Sequence, residues 1–153
     1  MKQPQQQDHE GYQAALQAAI AGGQLGGVPI GSALADTNGV IASGHNRRVQ
    51  NSDPTAHAEI EALRAAGRRA SYTETTLYTT LAPCALCSGA IVQFKIPRVV
   101  IGEAENFAGE LQWLTERGVE VLILDDPQAR DLMKKFIAEQ PTLWNEDISE
   151  PGD

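Results

Sequence analysis

The sequence predicts an α/β domain built on one mixed five-stranded sheet with helices on both faces. Three observations predict it. Helical and extended apolar patterns alternate along the chain. The first two extended runs flank a Gly-containing turn and so pair as a hairpin. Each later strand is separated from the next by a helix, which makes those strands parallel. At 153 residues the chain has the length of one domain, which buries about two-thirds of its unfolded surface without staples.

The elements follow in order. Tyr12, Leu16, Ala19 and Ile20 fall on one helical face, with Asp8 as N-cap and Gly22-Gly23 as the stop. Ile30 to Ala35 and Val40 to His45 read as strands around Asp36-Thr37-Asn38-Gly39. Asn46 to Asp53 reads as a polar loop, and Pro54 starts a helix through Ala66 that Gly67 ends. Thr75 to Leu81 is β-branched and extended. Pro83 opens a helix over roughly Cys84 to Phe94. Arg98 to Ile101 is a strand, and Glu110 to Arg117 a helix stopped by Gly118. Val119 to Leu124 is a nearly continuous apolar strand, the type buried on both faces. Asp126-Pro127 starts a helix whose Leu132, Met133, Phe136 and Ile137 form an apolar stripe. No repeat or linker divides the chain, so 1–153 is a single domain, with 1–7 and 149–153 expected as flexible ends.

Composition excludes several function classes. Hydrophobic residues at 42% and charged residues at 21% are those of a globular chain. No apolar run approaches the roughly 18 residues of a membrane span. The polar, Gln-rich start from Met1 to Glu10 lacks the basic and apolar regions of a signal peptide. The expectation is a cytoplasmic protein with no membrane partner. Basic residues number 12 against 20 acidic, a net charge of −8. A binder of polyanions shows a basic footprint, and only Arg47-Arg48 and Arg68-Arg69 come near one, so no nucleic-acid partner is expected. A small neutral ligand fits the charge better. The two cysteines, Cys84 and Cys87, exclude a disulfide scaffold and point to redox or metal chemistry.

Two motifs carry that chemistry. Thr55-Ala56-His57-Ala58-Glu59 opens one predicted helix, and Pro83-Cys84-Ala85-Leu86-Cys87 follows a strand and opens another. Cys84 and Cys87 are three positions apart and share a helix face. Two thiolates and one imidazole make three ligands of tetrahedral zinc and leave the fourth position open, as in a catalytic site. Helix N-termini favour thiolate over thiol. Zinc in a suitable site lowers the pKa of water from about 15.7 to about 7. A carboxylate beside the metal can then move protons from the water to the leaving group, and Glu59 has the right type and proximity.

Each piece has a plainer reading. Alone, His57 is a surface or core histidine and Glu59 a solvated helix residue. Alone, the cysteine pair suits a thioredoxin-like site or half of a structural zinc site. A structural site needs a fourth ligand, and the other histidines are His9 and His45 only. The combination is far more specific than its parts.

With these residues in view, the chain resembles the cytidine deaminase-like superfamily, whose zinc enzymes pair His-x-Glu with Pro-Cys-x-x-Cys, and most nearly its fungal-type free-base branch, the cytosine deaminases. The resemblance runs from about Gly11 to Ile148. It rests on Gly26-Gly27-Val28-Pro29-Ile30-Gly31, Gly44-His45-Asn46, Thr75 to Leu81 with Pro83-Cys84, and Ser88-Gly89-Ala90-Ile91. It continues through Ile96-Pro97-Arg98, Gly102-Glu103, Asn106-Phe107, Trp144 and Glu146-Asp147-Ile148. The resemblance implies a three-layer α/β/α sandwich, a homodimer, one zinc per subunit, and hydrolysis of cytosine to uracil and ammonia by zinc-hydroxide attack at C4, in pyrimidine salvage. It implies that His57, Cys84 and Cys87 hold zinc and that Glu59 shuttles protons. It implies that Asn46 bonds the pyrimidine edge near O2 and that Asp147 accepts from the exocyclic amine. Phe107 and Trp144 would flank the ring, and Ile30 would fill the wall. Ala58 stands where the fungal pattern has glycine, Ala82 where it has serine, and Asn145 where it has an aromatic residue; the backbone N–H of Ala58 and carbonyl of Ala82 would keep their contacts. The alternatives are deamination of guanine or another amino-heterocycle, tRNA adenosine deamination, and a non-catalytic zinc or redox module.

Overall fold

The computed structural model describes residues 5–150. Helix α1 (Asp8–Gln24) is followed by the antiparallel pair β1 (Gly31–Asp36) and β2 (Gly39–His45). The turn between them is held by Asn38 N donating to Asp36 Oδ1 at 2.8 Å, and Gly39 supplies the positive φ of 125°. Then come α2 (Arg48–Asn51), α3 (Ala58–Ala66), β3 (Thr76–Leu81), α4 (Ala85–Gln93), β4 (Arg98–Glu103), α5 (Leu111–Glu116), β5 (Glu120–Ile123), α6 (Pro127–Glu139) and α7 (Pro141–Asp147). The sheet order is β2-β1-β3-β4-β5; β1 runs antiparallel to β3, and β3, β4 and β5 are parallel.

Strand alternation divides the core between the two faces of this sheet. Leu34, Leu77, Val99 and Ile101 pack with Ala62 of α3, Ile91 of α4 and Leu114 of α5. Their neighbours Ala33, Ala35, Tyr78 and Val100 point the other way, onto Tyr12, Ala15 and Leu16 of α1. The result is the expected sandwich with a mixed five-stranded sheet. A third cluster, Val28, Ile30, Ala58, Leu81, Met133 and Trp144, sits where the N-terminal end of β1 adjoins the C-terminal end of β3.

Several local expectations are corrected. Asp8 is the first residue of α1, not its cap; its carboxylate faces inward to Tyr78 Oη and Arg98. The stretch from Asn46 to Asp53 holds the short helix α2. Helix α3 starts at Ala58, not Pro54, because Asp53 Oδ1 captures the backbone N–H and hydroxyl of Thr55 in a turn. Strand β5 is an edge strand, with only Leu122 buried, so its apolar run is not covered on both faces. Helix α7 has no counterpart among the predicted elements. Of the ends expected to be flexible, residues 1–4 and 151–153 lie outside the described residues; Gln5 N donates to Asp8 Oδ2 at 2.6 Å, and Glu150 N to Asn145 O at 2.8 Å.

Candidate active site

Two helix N-termini meet beside the C-terminal end of β3. His57 caps α3 in an extended conformation, φ −74° and ψ 156°, and Glu59 follows in the first turn. Cys84 caps α4 in a similar one, φ −73° and ψ −179°, and Cys87 lies in that helix's first turn. Cys84 therefore sits just outside the helix that its spacing assigned it to, yet its sulfur still converges with that of Cys87. The ligand atoms of His57, Cys84 and Cys87 lie within 4.8 Å of one another, and Cys84 Sγ is 3.5 Å from His57 Nδ1.

The donor set fits zinc: two soft sulfurs and one imidazole, with no fourth protein ligand in the cluster among the described residues. The electrostatics agree. The Cys84 thiol is pulled down to about 4, first by a hydrogen bond from Cys87 and then, against burial, by one from His57. Burial opposes the charge on His57, but the hydrogen bond and charge of Cys84 push its pKa up to about 9. Cys87 is pushed well above its ordinary value by its hydrogen bond to Cys84 and by burial. A divalent ion is the group that lets both sulfurs carry charge.

Glu59 is 5% exposed. Burial and the nearby Cys84 thiolate push its carboxyl up to about 7, and a carboxyl held in such a cleft is a group that can take and give a proton. Ser32, fully buried on the face of β1 that looks at α3, donates to Glu59 Oε1 at 3.3 Å. Ser32 was not among the residues singled out from the sequence, since a hydroxyl in a strand carries no local signal.

A cleft enclosing about 340 Å³, its mouth included, opens onto these groups. Ile30, Asn46, Ala58, Ala82, Phe107, Trp144 and Asp147 all line it with His57, Glu59 and Cys84; Cys87 is buried behind. Leu81 and Ile148 also line it. Phe107 and Trp144 meet edge to face, centroids 6.2 Å apart and planes at 89°. Asn46 Nδ2 donates to Asp147 Oδ1 at 3.0 Å, while Asn46 Oδ1 accepts from Arg48 N at 3.0 Å. That leaves the second amide hydrogen of Asn46 and Oδ2 of Asp147 for a ligand. Arg48, read from sequence only as part of a sparse basic pair, reaches α7: its Nη1 is 3.5 Å from Asp147 Oδ1 and its Nη2 3.6 Å from Glu146. Burial nevertheless raises the pKa of Asp147, against the pull of His57 and of the Asn46 hydrogen bond.

Comparison with known proteins follows the same lines. The family described as the cytidine and deoxycytidylate deaminase zinc-binding region matches residues 5–103. The chain is 46% identical over 146 residues to a cytosine deaminase of Candida albicans, covering 94% of this chain and 97% of that one. Among solved structures, one from work on tRNA:A34 deaminases superposes with a TM-score of 0.70 at 28% identity, covering 81% of this chain and 99% of its own. A guanine deaminase from Nitrosomonas europaea superposes with a TM-score of 0.70 at 25% identity, covering 90% of this chain and 87% of its own.

Proposed function

The chain belongs to the zinc-binding cytidine and deoxycytidylate deaminase family, and on that premise we propose that it hydrolyses cytosine to uracil and ammonia. The observation that carries the substrate is the hydrogen-bonded pairing of Asn46 and Asp147 in a cleft that His57, Glu59, Cys84, Phe107 and Trp144 also line. A small planar base with an amine on one edge and a carbonyl on the next suits that set.

Each residue then has one task. Phe107 and Trp144 enclose the ring, and Ile30 and Leu81 close the apolar wall. Asn46 donates its free amide hydrogen to the carbonyl O2. Asp147, an acceptor only when ionised, takes a hydrogen of the exocyclic amine. The backbone N–H of Ala58 and carbonyl of Ala82 remain able to bond the ring edge and the amine, since neither role needs a side chain. Zinc held by His57, Cys84 and Cys87 supplies the Lewis acidity that makes water nucleophilic near neutral pH. Glu59 receives the proton of the attacking water on its carboxylate. It passes protons to the ring nitrogen and to the departing amine, so that nitrogen leaves as ammonia and not as amide ion. Ser32 keeps the carboxylate aimed while it does so.

Guanine is the second substrate to weigh, because the Nitrosomonas europaea enzyme shares the fold. Transfer RNA is disfavoured by the net charge of −8. The reading also includes a homodimer, as the family resemblance implies, acting in cytoplasmic pyrimidine salvage. Within the described residues no helix is long and apolar enough to cross a membrane.

The test is ammonia release by zinc-loaded protein from cytosine, cytidine, guanine and adenosine, with and without a chelator. Cytosine should be turned over, cytidine poorly, and the chelated protein should be silent. Turnover of guanine in place of cytosine would move the chain to the second reading.

A further inference from the structure

We propose that Glu103 is a positioning residue: through Asn106 it holds the Phe107 loop closed against Trp144 and so sets how tightly the cleft retains its base. The proposal rests on the deaminase reading for its substrate but not for its geometry.

Glu103 ends β4, fixed there by its register with Leu81 and by Ala82 N, which donates to its carbonyl at 3.0 Å. Its side chain is 1% exposed. A buried carboxylate must find donors, and these donors all come from the loop that follows. Oε2 accepts from the backbone N–H of Glu105 at 2.7 Å and of Asn106 at 3.0 Å; Oε1 accepts from Asn106 Nδ2 at 2.9 Å. The same Asn106 Nδ2 donates to the carbonyl of Arg130 in α6 at 3.0 Å. One carboxylate thus fastens two consecutive backbone amides, and one side-chain amide ties the loop to helix α6. The next residue is Phe107, whose ring meets Trp144 edge to face.

The fold gives Phe107 little support of its own. It is half-buried and lies in the connection between β4 and α5, outside any regular element. The hydrogen bonds to Glu103 are what keep the backbone beneath it in place. Releasing them frees the ring to swing off Trp144, which weakens retention of a base without touching the groups beside the metal.

The experiment uses the zinc-loaded chain with Glu103→Gln and, as a milder variant, Asn106→Ala. Gln keeps the shape of Glu103 but turns an N–H group toward donors. KM for cytosine should rise about ten-fold in either variant while kcat changes less than about three-fold. In a Trp113→Phe background, leaving Trp144 as the sole tryptophan, acrylamide quenching of its fluorescence should at least double. On top of Phe107→Ala, the Glu103→Gln change should shift KM and quenching no further, since both act through one ring. Unchanged KM and quenching in the folded variants would overturn the proposal, and so would a loss confined to kcat or to melting temperature. If the parent releases no ammonia from cytosine, the substrate reading fails by itself. The quenching pair still decides whether Glu103 and Asn106 hold Phe107 on Trp144.

Discussion

Glu59 illustrates what a single residue can be read to do. Its place two residues after His57 makes its type and proximity legible from the sequence. Its burial and its contact with Ser32 are not legible, because they depend on how α3 lies on β1. The same holds across the site. The zinc donors are local patterns, so spacing finds them. Arg48 and Ser32 act through long-range contacts, so nothing near them in sequence marks them out. Phe107, Trp144 and Asp147 were legible only through family resemblance; by residue type alone they pass for core or solvated side chains. The role of Glu59 yields a direct prediction. Glu59→Gln keeps the shape and an oxygen for the Ser32 hydroxyl but cannot carry a proton. Zinc content and circular dichroism should be unchanged, while ammonia release falls by roughly 10²–10⁴-fold. Turnover equal to the parent's would remove Glu59 from the chemistry.

At the level of elements, the strands and helices were legible where apolar period and caps agree. Asp126 does cap α6, accepting from Gln128 N and Ala129 N. Boundaries failed where a side chain outside the helix took over, as Asp53 does before α3. Helix α7 escaped because its seven residues carry one buried side chain, Trp144, and so no stripe. What the sequence conceals most is how closely backbones approach. Glycine at position 31 lets α1 lie directly on β1: a Cβ there would meet Ala15 O at 2.0 Å and Ala19 N at 2.4 Å. Both are backbone atoms of a helix and cannot rotate aside. Gly31→Ala should therefore cost about 3 kcal/mol, the upper range for overpacking. It should lower the urea midpoint without changing the slope. A midpoint equal to the parent's would mean that α1 can lift off the sheet freely. Because Gly31 N also donates to Thr80 Oγ1 at 3.1 Å, the shift would reach Ile30 and the pocket wall as well.

Over the whole molecule, the covering helix α1 is fastened to the sheet by a buried ionic cluster at one end. Asp8 Oδ1 accepts from Tyr78 Oη and Arg98 Nη1, each at 2.7 Å, and Oδ2 from Arg98 Nη2 at 2.7 Å. Arg98 Nε in turn lies 3.3 Å from Glu120 Oε2, so α1, β3, β4 and β5 share one charge network. A buried pair of this kind is weak evidence for net stability, but removing one member strands the other. Burial pushes the Asp8 carboxyl up, yet the hydrogen bonds from Arg98, Gln5 and Tyr78 outweigh it and leave its pKa below the ordinary value of 3.8. The sign follows. A carboxyl that is more acidic folded than unfolded stabilises the fold above its unfolded pKa. That contribution is lost as pH falls through the folded value. The parent should therefore keep this part of its stability at neutral pH and shed it only below about pH 4. Asp8→Asn, which leaves Arg98 facing Glu120 alone, should cost about 3 kcal/mol at pH 7. Its stability should also fall less steeply than the parent's below pH 4. Urea titrations from pH 7 to pH 3 on both proteins measure the two slopes. Parallel curves would show that Asp8 titrates alike in the folded and unfolded chain, and the anchor would then be packing alone.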